Sequence, residues 1–241
     1  MALRVMGAQL KPVLQHPVTA IDVLLEPDAT MLCFAETSNA RLLAVFPQGF
    51  ALDAQHRPHI TLVQCFVRTH TLEQIFAAVG EVFADTDLSR ITLQAFKTYY
   101  VPGSGVGLAG IVAHSTPELL HLQQSITAAV APFMVETGPI ESFTADHGNP
   151  ALDNALIDYV SSFVNQHTGE QFSPHVTTGV APIADLERMV LEPFEPFSFS
   201  PVAAAVDQLG PFGTAARKLW HWDPSERPAH EHPSSRGYGS P

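Results

Sequence analysis

The chain has 241 residues, 46% hydrophobic and 15% charged, which excludes disorder for its bulk and allows one large core, since single cores stop growing only near ~250–300 residues. Twelve Lys and Arg against 24 Asp and Glu leave a formal net charge of −12, which argues against gripping a long nucleic acid through its phosphates. No apolar run reaches the ~18–20 residues of a membrane-spanning helix, so the expectation is a soluble, cytoplasmic monomer without membrane contact. The charge is unevenly spread: between Lys97 and Arg188 there is no basic residue, while nine acidic ones run from Glu118 to Glu187. An anion handled there must be small and met by something other than Lys or Arg, and the 12 histidines are the natural candidates.

Residues 1–17 are interrupted by Arg4, Gln9 and Lys11, which breaks any signal-peptide core and predicts a loose N-terminal extension. Ile21–Glu26 reads as a strand, followed by a helix over Ala29–Val45 with Asp28 as its N-cap. Pro58 precedes a β-rich run, His59–Val67. Thr71-x-x-Gln74 has the form of a capping box ahead of a helix to about Phe83. Strands over Ile91–Phe96 and Leu108–Ala113 flank a glycine-rich loop at 102–107. Thr116 and Pro117 open a helix to about Ala131, a loop rich in Gly, Pro, Asn and Asp spans 139–150, and a further helix runs from Leu152 to about Gln166. Pro174 then precedes a second β-rich run, His175–Ala181. A short helix over Ala184–Leu191 and strands over about Phe197–Gln208 and Ala215–Trp220 follow, joined by a loop at 209–213. Residues 221–241 lack an apolar period and read as a disordered tail, in which His230 and His232 are at most weak metal chelators. Cys33 and Cys65 lie in apolar segments without zinc or redox spacing and are expected as buried thiols.

Each half thus contains helix, strand opening Pro-His, helix, strand, glycine loop and strand. This repeat of architecture predicts an α+β fold, bilobal and pseudo-symmetric, with two antiparallel sheets flanked by helices about a central groove. It would form one domain over 18–220, with lobes at about 18–114 and 115–220 and room for strand exchange between them.

The two strands opening with histidine read Pro58-His59-Ile60-Thr61 and Pro174-His175-Val176-Thr177. Residues i and i+2 of a strand share a face, so each His lies beside its Thr while Ile60 and Val176 point into a core. His-x-Thr alone is weak, and a third copy, His114-Ser115-Thr116, is best read as a strand end and a helix cap. Two copies preceded by Pro, each with a β-branched residue between, at equivalent places of a repeated layout, are far more specific. Gly105-x-Gly107-x-x-Gly110 precedes a β-like run and opens no helix, so it is a hairpin loop and not a dinucleotide site. His56 reads as an exposed loop residue. Tyr99 and Tyr100 are candidates for stacking a nucleobase at the groove edge.

The paired strands resemble the two-histidine (2H) phosphoesterase superfamily, which includes 2′-5′ RNA ligase-like proteins and cyclic nucleotide phosphodiesterases. The resemblance rests on residues 58–62 and 174–179 and on the element order over about 20–220, and it implies that His59, Thr61, His175 and Thr177 carry the site. Hydrolysis of a 2′,3′-cyclic phosphodiester needs a base for the attacking water and an acid for the departing ribose oxygen, tasks suited to two histidines. Thr61 and Thr177 would donate to the nonbridging oxygens. No metal-ligand cluster of convincing spacing appears, so neither a metal nor another cofactor is expected, and the expected partner is a small nucleotide or a short RNA end. Which His is acid and which base stays open. Two alternatives stand beside this reading: RNA 2′-5′ ligase activity and a non-catalytic nucleotide-binding module.

Overall fold

Asp28 terminates the first strand and starts the first helix in one step. In the computed structural model, which describes residues 17–103, 105–144 and 150–226, its side chain accepts hydrogen bonds from the backbone N–H of Thr30 at 3.0 Å and Met31 at 3.2 Å, so β1 (Val18–Pro27) passes directly into α1 (Ala29–Val45). β2 (Ile60–Arg68), α2 (Leu72–Ala84), β3 (Leu93–Pro102) and β4 (Val106–Ala113) follow. In the second half come α3 (Pro117–Val130), the two-residue β5 (Met134–Val135), α4 (Pro150–His167), β6 (His175–Pro182), α5 (Ile183–Met189), β7 (Phe197–Phe199), β8 (Pro201–Leu209) and β9 (Ala215–Trp222). Thr116 caps α3 as expected, accepting from Leu119 N–H at 3.2 Å.

Several local expectations are corrected. The Thr71 capping box does not form: the Thr71 hydroxyl donates to the Arg68 carbonyl at 2.8 Å, and a 3₁₀ turn over Thr69–Thr71 leads into α2 instead. The single strand expected over 197–208 is two strands in different sheets. Pro201 has no N–H to continue a ladder, and the backbone beside it is held by Asp28, which accepts from Ser200 N–H at 2.9 Å. β9 runs to Trp222, two residues past its expected end. Cys33 is exposed and only Cys65 is buried. Residues 1–16 of the expected extension and 227–241 of the expected tail, with His230 and His232, lie outside the described residues.

All pairings are antiparallel, in one sheet of order β5-β2-β1-β8-β9 and another of order β6-β4-β3-β7. The sheets do not follow the halves of the chain. The hairpin β3–β4 from the first half pairs with β6, and the hairpin β8–β9 from the second half pairs with β1. The main core draws on both sheets, joining Ile21, Ile60 and Val206 of the first with Leu93, Ile111 and Val176 of the second. α2 and α3 pack together against the first sheet, α1 packs on β6, and α4 packs on β2.

Each histidine strand carries a β-bulge at the residue after its Thr. Val23 pairs with Val63 and Leu24 with Thr61, so Leu62 is the extra residue of β2; Ala109 pairs with Gly179 and Gly110 with Thr177, so Thr178 is the extra residue of β6. A bulge changes the phase of side-chain alternation. In β2, Ile60, Leu62, Val63, Cys65 and Val67 all enter the main core, while His59, Thr61 and, beyond the bulge, Gln64 face the opposite side. In β6, Gly179 has φ 147° where α1 crosses closely, and a Cβ there would lie 2.9 Å from the Asn39 amide.

Candidate active site

The two Pro-His strands meet at one cleft. His59, Thr61, His175 and Thr177 all line a cavity of about 1000 Å³, with Ile60 and Val176 fully buried behind them. The structure therefore brings together the four residues singled out in the sequence. Tyr99 joins them, its ring 5.1 Å from that of His175 in an edge-on contact. Tyr100 does not: the strand turns it to the opposite face, where it packs with Leu42, Ala109 and Leu186. His114 stacks on Phe96 at 3.9 Å, away from the cleft.

The two imidazoles have different surroundings. His175 Nδ1 is 2.8 Å from the Ser173 carbonyl, and because a carbonyl only accepts, Nδ1 carries the proton and Nε2 keeps a free lone pair in the neutral ring. His59 Nδ1 is likewise 2.7 Å from the Arg57 carbonyl, but its Nε2 lies 3.3 Å from Asp22 Oδ2. Both nitrogens of His59 thus face acceptors, which favours imidazolium. Burial alone would lower the His59 pKa; the Asp22 carboxylate, the Arg57 carbonyl and the charge of Asp207 outweigh it and raise it above the ordinary histidine value. Burial pushes His175 below that value, opposed by the Ser173 carbonyl and reinforced by the nearby charge of His59.

Asp22 is the residue that sequence reasoning missed. It is fully buried, and its Oδ2 accepts from the Thr61 hydroxyl at 2.7 Å and the Gln64 amide at 2.9 Å, beside the contact with His59. Directly across the β1–β8 pairing stands Asp207, also fully buried and paired with Arg57. Burial raises the Asp207 pKa, and neighbouring Asp22 adds to this, although the Arg57 charge acts against it. A signal existed: each is an acid set within a largely apolar run of its strand, and acids are almost never fully buried without a partner. His56 was also misread. It lines the cleft, stacked on Phe50 at 4.6 Å and bonded to Asp53 at 3.0 Å.

The far wall comes from α4, whose Leu156, Tyr159, Phe163 and His167 recur at helical spacing and line the cavity. Burial raises the Tyr159 phenol to about 12, helped by the charge of Asp22, and raises Tyr99 as well, so both stay neutral donors at physiological pH. Among the described residues no group of three or more His, Cys, Asp or Glu is disposed to hold a metal ion, and no helix is long and apolar enough to cross a membrane.

Comparison with known proteins adds an independent finding. The family model of the 2′-5′ RNA ligase superfamily matches residues 46–210, a span that includes both Pro-His-x-Thr segments. Among solved structures, TT0787 of Thermus thermophilus is similar at 14% identity and a TM-score of 0.52, over 85% of this chain and 97% of that one. LigT of E. coli, solved in complex with ATP, is similar at 13% identity and a TM-score of 0.40, over 86% of this chain and 98% of its own. Usb1 of Kluyveromyces marxianus is similar at 9% identity and a TM-score of 0.39, over 84% and 97%. No curated protein matches the sequence.

Proposed function

The chain belongs to the 2′-5′ RNA ligase superfamily of two-histidine phosphoesterases, and from that premise we propose that it hydrolyses a 2′,3′-cyclic phosphate, or a 2′-5′ phosphodiester, of a nucleotide or short RNA end by general acid–base catalysis. The observation that carries the proposal is the unequal pair of imidazoles on one cleft: His59 is held between two acceptors and its pKa raised, while the pKa of His175 is lowered.

In the hydrolytic direction His175 is the base. Its bare Nε2 takes a proton from the attacking water as the oxygen bonds to phosphorus. His59 is the acid. Its Nε2–H lies 3.3 Å from Asp22, longer than an ordinary hydrogen bond, and turns to the departing ribose oxygen as the phosphorus–oxygen bond breaks. The products are a phosphomonoester and a free hydroxyl; His175 ends protonated and His59 neutral, and proton exchange with solvent restores the starting pair. The Thr177 hydroxyl donates to a nonbridging oxygen as negative charge builds there. The Thr61 hydroxyl donates to Asp22 and holds the carboxylate beneath His59 until the phosphate competes for it. This chemistry uses the chain's own groups and draws on no metal.

The test is turnover of the four nucleoside 2′,3′-cyclic phosphates in chelator, with wild type beside His59→Ala and His175→Ala and the product regiochemistry read by chromatography. Activity that survives chelation and falls about 10²-fold or more in each variant is the expected result for loss of a positioned acid or base. Full activity in both variants, or activity abolished by chelator, overturns the proposal.

A further inference from the structure

The cavity is much larger and more apolar than two imidazoles and two hydroxyls require. Its volume of about 1000 Å³ stands at the upper limit of the ~300–1,000 Å³ typical of small-molecule sites. Away from the histidines its walls include Leu156, Tyr159 and Phe163 of α4 together with Val101, Leu108 and Phe212, with Gln55 and Thr144 among the fewer polar members. Among the described residues no Lys or Arg lines it, and Asp153 adds a carboxylate. Arg57, the cation nearest His59 in the chain, is already engaged by Asp207 and by the Ala54 carbonyl.

This distribution of charge decides between two ways of extending a substrate beyond its reacting phosphate. A further nucleotide adds a phosphate, whose charge would lose water inside the cleft with no Lys or Arg among the described lining residues to meet it, a costly transfer. An apolar group gains by leaving water, by an amount that grows with its area. Resting on the two-histidine reading above, we infer that the physiological substrate is a phosphodiester carrying a large apolar substituent, which occupies the arm between α4 and Phe212, in place of a run of further nucleotides.

The experiment is a calorimetric titration of the intact protein with butyl, hexyl and octyl phosphate, beside a mononucleotide 3′-phosphate and a hexanucleotide ending in a 3′-phosphate. A buried methylene strengthens binding by up to about fourfold, so Kd is expected to fall at least about tenfold from butyl to octyl. The hexanucleotide is expected to bind no tighter than the mononucleotide. Leu156→Asn and Phe212→Asn should each flatten the chain-length series; both side chains reach the cavity wall, and Phe212 is 43% exposed with φ 59°, a conformation asparagine tolerates. A flat series in wild type, a hexanucleotide that binds tighter with strong salt dependence, or a series left at full slope in both variants overturns the inference. Failure of the two-histidine reading looks different: cyclic phosphates are not turned over and His175→Ala leaves butyl phosphate binding unchanged, while the chain-length dependence persists.

Discussion

At the scale of single residues, Asp22 sets the difference between the two histidines. The proposed reaction uses a neutral His175 and a protonated His59, so the rate should rise as pH passes the lowered His175 value and fall as it passes the raised His59 value, a bell spanning the ordinary histidine pKa of about 6.5. Asp22→Asn removes the charge that holds His59 up while keeping the side-chain shape. The alkaline limb should move to lower pH, with the rate beyond it falling about tenfold per unit of displacement, while the acid limb moves little. A pH–rate profile checks this, and an alkaline limb left in place would show that Asp22 does not govern His59. The linkage has a definite sign: a raised His59 pKa means its contact with Asp22 stabilises the fold fully below the unfolded histidine value, and this contribution is lost as pH rises through the folded value. Of these residues, His59, Thr61, His175 and Thr177 were legible because a period of two brings i and i+2 to one face. Asp22 and Asp207 could be marked only as acids among apolar residues, because the partners that define their roles come from segments far away in the chain.

At the scale of elements, the ends of helices separate two capping signals that look alike in sequence. Asp28 accepts from Thr30, Met31 and Ser200 N–H, so it both starts α1 and ties the corner between β7 and β8. Asp28→Ala should cost about 1–2 kcal/mol of unfolding free energy, near the upper end for caps. Thr71→Ala should cost under about 0.5 kcal/mol, because its hydroxyl serves a carbonyl and caps no helix N–H. Urea denaturation of both variants checks the pair, and equal losses would contradict the assignment. Thr71-x-x-Gln74 matched the pattern of a capping box, but a 3₁₀ turn placed Thr71 with φ −96° and ψ 0°, whereas a capping residue is extended. The bulges at Leu62 and Thr178 were equally hidden, since an extra residue in one strand is defined only against its partner.

At the scale of the whole molecule, the exchange of hairpins makes the two halves inseparable. A fragment ending at residue 114 would expose the edge of β1 that β8 covers and the edge of β4 that β6 covers, and it would open a main core built from both sheets. Residues 17–114 alone should therefore show no cooperative unfolding transition, while the full chain should lose its near- and far-UV circular dichroism signals together. Two separated transitions in the full chain, or a cooperatively folded fragment, would show that the lobes are independent.

Most of the elements, the α+β class, the repeated layout and the four paired His and Thr residues can be read from the chain alone, because periodicity, caps and the restriction imposed by proline act within a few residues of the chain. Tertiary structure alone decided which strands share a sheet, that Tyr99 faces the cleft while Tyr100 faces the core, that Asp22 stands beneath His59, and that α4 supplies an apolar wall. The physical reason is that hydrogen-bonded register and burial are properties of pairs of distant segments. The opposite pKa shifts of two histidines with nearly the same local sequence follow from neighbours that only the fold brings to them.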